Sequence, residues 1–242
     1  MKKLFYTLLF VPVALALSST RAAAYGKVPG FANNGMKQQS DTTKPIKVLF
    51  YLQDGVEVLD FAGPMEVFTA AGFDVATVSK TKSPILSKGV LKIIPEYDIN
   101  DAPHADILAF FGGYDSNATN DPAVMQWLKN YAVPQYYFSV CTGAFILGKA
   151  GLLDGLTVTT WHGRIEKLKL DVPQAKVLSN VRYVDNGRVI TTAGVSAGID
   201  GALHLVAKIL GDNAAEQVAK YMEYDNWVPG QGLVIANKSS AE

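Results

Sequence analysis

The stretch "YYFSVCTGAFILGKAGLLDG" (residues 136–155) decides the fold. Its first part is a strand-like apolar run, predicted over 135–140. Its second is a helix-like run, predicted over 142–153, with no turn residues between the two. The corner falls on Cys141, the one cysteine among 242 residues. A strand that passes into a helix at a single residue is the geometry of a nucleophile elbow, which projects its side chain from the sheet edge. Gly143 follows two residues later, where a small side chain relieves crowding. A helix N-terminus is expected to lower the thiol pKa, because free N–H groups and the helix dipole favour thiolate. The competing reading is an inert thiol serving as a small core hydrophobe. The stretch alone leaves both open.

The flanking sequence repeats the same alternation. "IKVLFYL" (46–52), "FDVATVS" (73–79), "ADILAFFGG" (105–113) and "LTVTTW" (156–161) read as strands, several of them apolar throughout. "KGVLKIIPEYDI" (88–99) reads as a hairpin arm or a strand with a connector. Gly63-Pro64 is expected to open the helix "MEVFTAAG", and Asp121-Pro122 the helix "AVMQWLKNYA" with an aspartate cap. "RIEKLKL" (164–170), "SAGIDGALHLVAKILG" (196–211) and "NAAEQVAKYMEY" (213–224) read as helices. Asn186-Gly187 between β-rich arms is a hairpin signal. The pattern predicts one α/β domain over 46–226, a mostly parallel sheet with helices on both faces, and a tail over 227–242.

Sites in such folds form outside the carboxyl ends of the strands. Three candidates stand there. Cys141 ends one strand, Gly112-Gly113 ends another, and Asp60 follows the first strand just before the expected helix start. Paired glycines let backbone N–H groups approach a ligand as an oxyanion site requires, although an ordinary turn explains them equally well. Asp60 reads either as a helix-terminal charge or as a buried carboxyl group able to hold a proton beside the thiol. Glu57, in the same loop, is expected to be solvated. Of the three histidines, His104 and His204 read as structural, and His162 could reach the pocket rim. One cysteine and three scattered histidines lack metal-ligand spacing, so no metal is expected. No GxGxxG follows a strand, and no dinucleotide or other cofactor is expected.

Composition narrows the partners. Lys+Arg and Asp+Glu balance at 22 each without a basic run, which argues against nucleic-acid binding. Lys2 and Lys3 precede the segment Leu4–Leu17, apolar but for Thr7, and Ala22-Ala23-Ala24 follows it. This is the pattern of a secretory signal over 1–24. The apolar segment is short of the roughly 20 residues that span a bilayer, so no membrane attachment is expected after cleavage. Export to a periplasmic or extracellular space is expected, with a flexible leader over 25–45. Loss of Lys2, Lys3 and Arg21 would leave acidic side chains three in excess. Asn117-Ala118-Thr119 and Asn237-Lys238-Ser239 are chance-level sequons.

Together "LDFAGPMEVF", "FFGG", "SVCTGAFILGKAGLLDG", "TTW" and "ITTAGVSAGIDGALHLVA" resemble the ThiJ/PfpI superfamily, related to class I glutamine amidotransferases. The resemblance runs from Ile46 to Tyr224 and is strongest to the isonitrile hydratase branch. It implies a flavodoxin-like sheet and a homodimer with its pocket near the subunit interface. It also implies a nucleophile at Cys141, an adjoining threonine at Thr142, an acidic partner at Asp60 and an oxyanion contribution from Gly113. Protease-like branches place His directly after the cysteine. Thr142 stands there, so peptide hydrolysis is not expected. Phe111 replaces a proline common before the paired glycines, and Thr160-Trp161-His162 replaces the order Thr-His-Trp. The implied activity is addition of water to a small electrophile. The alternatives are a glyoxalase- or deglycase-like enzyme acting on reactive carbonyls, or a ligand-binding or redox-sensing stress protein.

Overall fold

The computed structural model describes residues 44–89, 91–113 and 118–235. The predicted signal, the leader up to residue 43, Asn117 and Asn237 lie outside the described residues.

The apolar runs are strands buried on both faces. In β1 (Lys47–Tyr51) Val48 and Phe50 enter one core, while Leu49 and Tyr51 enter the other. That is why the run shows no polar alternation. The chain continues through α1 (Val58–Ala70), β2 (Asp74–Ser79), the two-stranded arm β3 (Ile85–Leu86) and β4 (Lys92–Ile93), β5 (Tyr97–Asp98) and β6 (Ile107–Phe110). Next come α2 (Pro122–Asn130), β7 (Tyr136–Val140), α3 (Gly143–Lys149), β8 (Thr157–Val158), a 3-10 turn (His162–Arg164), α4 (Ile165–Asp171) and β9 (Lys176–Val177). The chain then forms β10 (Tyr183–Asp185), β11 (Val189–Thr192), α5 (Ala197–Leu210), α6 (Asp212–Tyr221) and β12 (Leu233–Val234).

Eight described strands form the main sheet in the order β12-β10-β11-β7-β6-β1-β2-β5. All neighbours are parallel except the β10–β11 hairpin, whose turn is Asn186-Gly187 with Gly187 at φ 86°. Helices α1, α5 and α6 cover one face through Val67, Phe68, Leu203, Val206 and Val218. Helices α2, α3 and α4 cover the other through Val124, Leu128, Ile146, Leu147, Ile165 and Leu168. Each such side chain contributes about 1.5–3 kcal/mol on full burial. The fold is therefore the expected flavodoxin-like α/β sandwich.

Three local expectations change. Helix α1 starts at Val58, not after Pro64, and Pro64 lies inside it. Proline has no N–H for the carbonyl of Asp60, but burial of Phe61, Val67 and Phe68 holds the helix through that gap. Asp60 is thus in the first helical turn rather than in a loop. The run 156–161 supplies only the two-residue β8, which pairs with β9 outside the main sheet. The expected tail contains β12, which joins the edge of the sheet beside β10, because backbone pairing there needs no apolar pattern.

Candidate active site

The carboxyl ends of β1, β6, β7 and β11, adjacent in the sheet, bring the site together. Phe110 of β6 is level with Tyr51 of β1 and with Ser139 of β7, and Val140 is level with Thr192 of β11. The next residue after β7 is Cys141, at φ 58°. Left-handed backbone costs an L-residue about 1–2 kcal/mol. Three bonds hold the corner against that cost. The Cys141 N–H donates to the Ala193 carbonyl at 2.9 Å, and the Cys141 carbonyl accepts from Thr160 Oγ1 at 2.7 Å and from the Ala144 N–H at 3.4 Å. Gly143 is required by close approach, since a Cβ there would sit 2.3 Å from the Phe110 carbonyl oxygen. The elbow reading of residues 136–155 is therefore the structure's.

Asp60 reaches the same point from α1 and is fully buried. Its Oδ2 accepts the Gly112 N–H at 2.9 Å and its Oδ1 the Val195 N–H at 3.0 Å. Carboxyl group and thiol lie side by side and perturb each other's ionisation. A Cβ on Gly112 would lie within 2.8 Å of Thr142 Oγ1, Asp60 Oδ2 and Cys141 Cβ, so only glycine fits. This corrects the role expected of Gly112. Its N–H holds Asp60 and is not offered to a substrate. The Gly113 N–H makes a long bond of 3.3 Å to Thr142 Oγ1, and Gly113 lines the cleft. The N–H and hydroxyl of Thr142 both act to lower the thiol pKa.

The electrostatics overturn the expected acidic thiol. Burial, then the charge of Asp60, pushes Cys141 up to about 12, against a smaller opposing effect from Thr142. Helix α3 has seven residues and lies in the core, so its dipole does not compensate for lost hydration. Burial also pushes Asp60 up to about 6, opposed by the N–H groups of Gly112 and Val195 and by the thiol. Burial raises both groups, and because each also shifts the other, the two titrate as a coupled pair with Asp60 ionising before Cys141.

Cys141 is 7 % exposed, and that fraction opens onto a cleft of about 290 Å³. Glu57, Lys88, Gly113, Thr142, Trp161, Arg164 and Val195 complete the lining. Sequence reasoning gave the segment after β8 to His162, but His162 is exposed and does not line the cleft. Trp161 does, with the His162 ring 4.9 Å from its own at 61°. A Cβ on Gly194 would lie 2.3 Å from the indole Cδ1, so a distant glycine makes room for this wall. Glu57 is half-buried and paired with Lys88 at 3.1 Å, not simply solvated. Val195 has φ 54°, a second strained residue beside the first. Arg164 and Lys88 lie outside the family motifs quoted above, and Trp161 and Val195 lie within them without a role assigned, because the part each plays depends on which loops meet. Among the described residues no cluster of His, Cys, Asp and Glu could hold a metal ion.

A doubly wound α/β protein with a cysteine elbow and a buried acidic partner is the class these features define. The chain belongs to the DJ-1/PfpI family, whose model matches residues 46–208. It is 31 % identical to the isonitrile hydratase of Pseudomonas putida over 74 % of this chain and 78 % of that protein. It is 27 % identical to the HTH-type transcriptional regulator CdhR of Pseudomonas aeruginosa, over 71 % of this chain but about half (53 %) of the regulator. The crystal structure of a THiJ/PfpI family protein from Pseudomonas syringae superposes with a TM-score of 0.70 at 29 % identity, covering 76 % of this chain and 77 % of that one. The family thus holds enzymes and regulators on one fold, and function must be argued from the site.

Proposed function

We propose that this chain is a cysteine-dependent hydratase of the isonitrile hydratase type. The observation that carries the reading is the buried Asp60 carboxyl group beside the Cys141 thiol at the floor of an open cleft. The resting thiol and carboxylate suit an addition in which S–H adds across one carbon. As the sulfur bonds to the terminal carbon of R–NC, Asp60 takes the thiol proton and passes it to that carbon. The product of this step is the thioimidate R–N=CH–S–Cys141. Water then adds across C=N, its oxygen to carbon and its proton to nitrogen, with Asp60 as the relay. Collapse to R–NH–CHO returns the remaining hydroxyl proton to sulfur. The Gly113 N–H would turn from its long bond to Thr142 Oγ1 to stabilise charge on the substrate, and Trp161 offers a flat wall for an apolar R group.

Mixing the purified protein with an aryl isonitrile is expected to convert it stoichiometrically to the N-aryl formamide, with methylglyoxal left unchanged. Consumption of methylglyoxal alone would favour the carbonyl-directed alternative. Consumption of neither, with stoichiometric oxidation of Cys141 by mild peroxide, would favour the redox-sensing one. The buried, high-pKa thiol argues against fast oxidation, which proceeds through thiolate.

A homodimer is the second part of the proposal. Leu59 of α1 and Leu86, Leu91 and Ile94 of the β3–β4 arm are exposed beside the Glu57–Lys88 pair, and a second copy of this chain is the occupant the family resemblance favours. Light scattering should give twice the chain mass, and Ile94→Glu should lower it. A monomeric wild type would refute this part.

A further inference from the structure

Asp60 depends on Val195, and Val195 is an improbable residue for its conformation. A β-branched side chain at φ 54° is a steric outlier that persists only where the surroundings over-determine it. The loop 193–196 is short, running from the end of β11 to the start of α5. Backbone bonds fix its two flanks. The Ala193 N–H donates to the Arg182 carbonyl at 2.9 Å, and the Gly198 N–H donates to the Val195 carbonyl at 3.2 Å. The residue next to Val195 is also held by a side chain from outside the cleft. Arg182, just before β10, donates from a terminal nitrogen to Ser196 Oγ at 3.3 Å and from Nε to Asp200 Oδ2 at 2.6 Å. Asp200 is buried in the first turn of α5, and its Oδ1 accepts the Tyr224 hydroxyl at 3.0 Å. Arg182, Asp200 and Tyr224, none of which lines the cleft, thus form a chain of side chains that ends on the loop holding Asp60.

We infer that Arg182 is a positioning residue for the reaction. Clamped by Asp200 and Tyr224, it anchors Ser196 and keeps Val195 left-handed, so that the Val195 N–H stays aimed at Asp60 Oδ1. Arg182 touches neither the thiol nor any residue lining the cleft by its side chain among the described contacts. Its effect is carried by one backbone N–H. The titratable groups facing Asp60 are Cys141 and Glu57, and neither belongs to the clamp. Loss of the Val195 N–H removes a donor that favours the charged carboxylate, and Asp60 should then hold its proton to higher pH.

The inference rests on the Asp60–Cys141 pair and not on which electrophile the pair meets. Iodoacetamide is therefore a sufficient probe, and its outcome is separable from that of the isonitrile assay. Thiolate with protonated Asp60 is isomeric with thiol and carboxylate. The alkylation rate of full-length protein should therefore rise through an acid limb set by Asp60 and then level off. In Arg182→Met the limb should move up by about one pH unit, a tenfold change in proton concentration. Val195→Gly in the same background should bring it back, because glycine adopts positive φ without a clamp. A folded Arg182→Met protein with the wild-type limb overturns the inference. So does a shifted limb that Val195→Gly fails to restore, since a general loosening would not be corrected at that residue. If Arg182→Met does not fold, Ser196→Ala and Tyr224→Phe trim the two ends of the clamp. An upward shift in both supports it, and wild-type limbs in both refute it.

Discussion

Cys141→Ala is expected to abolish isonitrile turnover by at least about 10³-fold while the protein stays folded. Without sulfur no thioimidate forms, and the cleft retains only binding and the Gly113 N–H. Removal of one sulfur leaves the structural bonds of the corner intact, because they run through the Cys141 N–H and carbonyl. Alanine tolerates φ 58° no worse than cysteine, so the thermal midpoint by circular dichroism should move by only a few degrees. Formamide formation above a tenth of the wild-type rate would exclude covalent catalysis at this residue. A loss of activity accompanied by collapse of the thermal transition would assign Cys141 to the core instead.

Asp60→Asn should lower the rate by about 10²–10⁴, the usual contribution of a positioned acid–base group, and should also change the shape of the pH profile. In the wild type the carboxyl group must be ionised to take the thiol proton, so activity falls as pH drops through about 6. An exposed aspartate would place that limb about two units lower. The thiol titrates near 12, so no second limb enters the neutral range and the rate should be level from about pH 7 to 9. Asparagine carries no titrating proton and turns an NH₂ towards one of the two N–H groups now held by the carboxylate. The residual activity should therefore be flat across pH 6. Retention of the same limb in Asp60→Asn would assign it to another group.

The degree to which each feature could be read from the chain follows from the range of the interactions that make it. Strands buried on both faces are apolar throughout, and the strand-to-helix passage at Cys141 is local, so the sheet and the elbow were legible. The Asn186-Gly187 hairpin and the Asp121 cap are local as well. Asp121 Oδ1 accepts the Ala123 N–H at 2.9 Å, as its position before Pro122 implied. The start of helix α1 is not legible, because proline ordinarily marks a first helical turn, whereas long-range packing carries this helix through Pro64. The raised thiol pKa is not legible in the sequence, because an N-terminal dipole is a local property and burial is not. His162 was favoured over its neighbour because imidazole is chemically conspicuous, while an indole acts as a wall only once Gly194 and the elbow stand opposite it.

The sequence by itself determined an α/β fold, the corner at Cys141 and the candidacy of Asp60, because backbone propensity and side-chain burial leave marks within a few residues. The tertiary structure alone decided that Gly112 holds Asp60, that burial raises the thiol and the carboxyl group together, and that Trp161 rather than His162 walls the cleft. Each of these depends on groups brought together from distant strand ends. Asp60 and Val195 are 135 positions apart in the chain and 3.0 Å apart in the fold. Electrostatics and steric fit respond to the second separation, and sequence pattern records only the first.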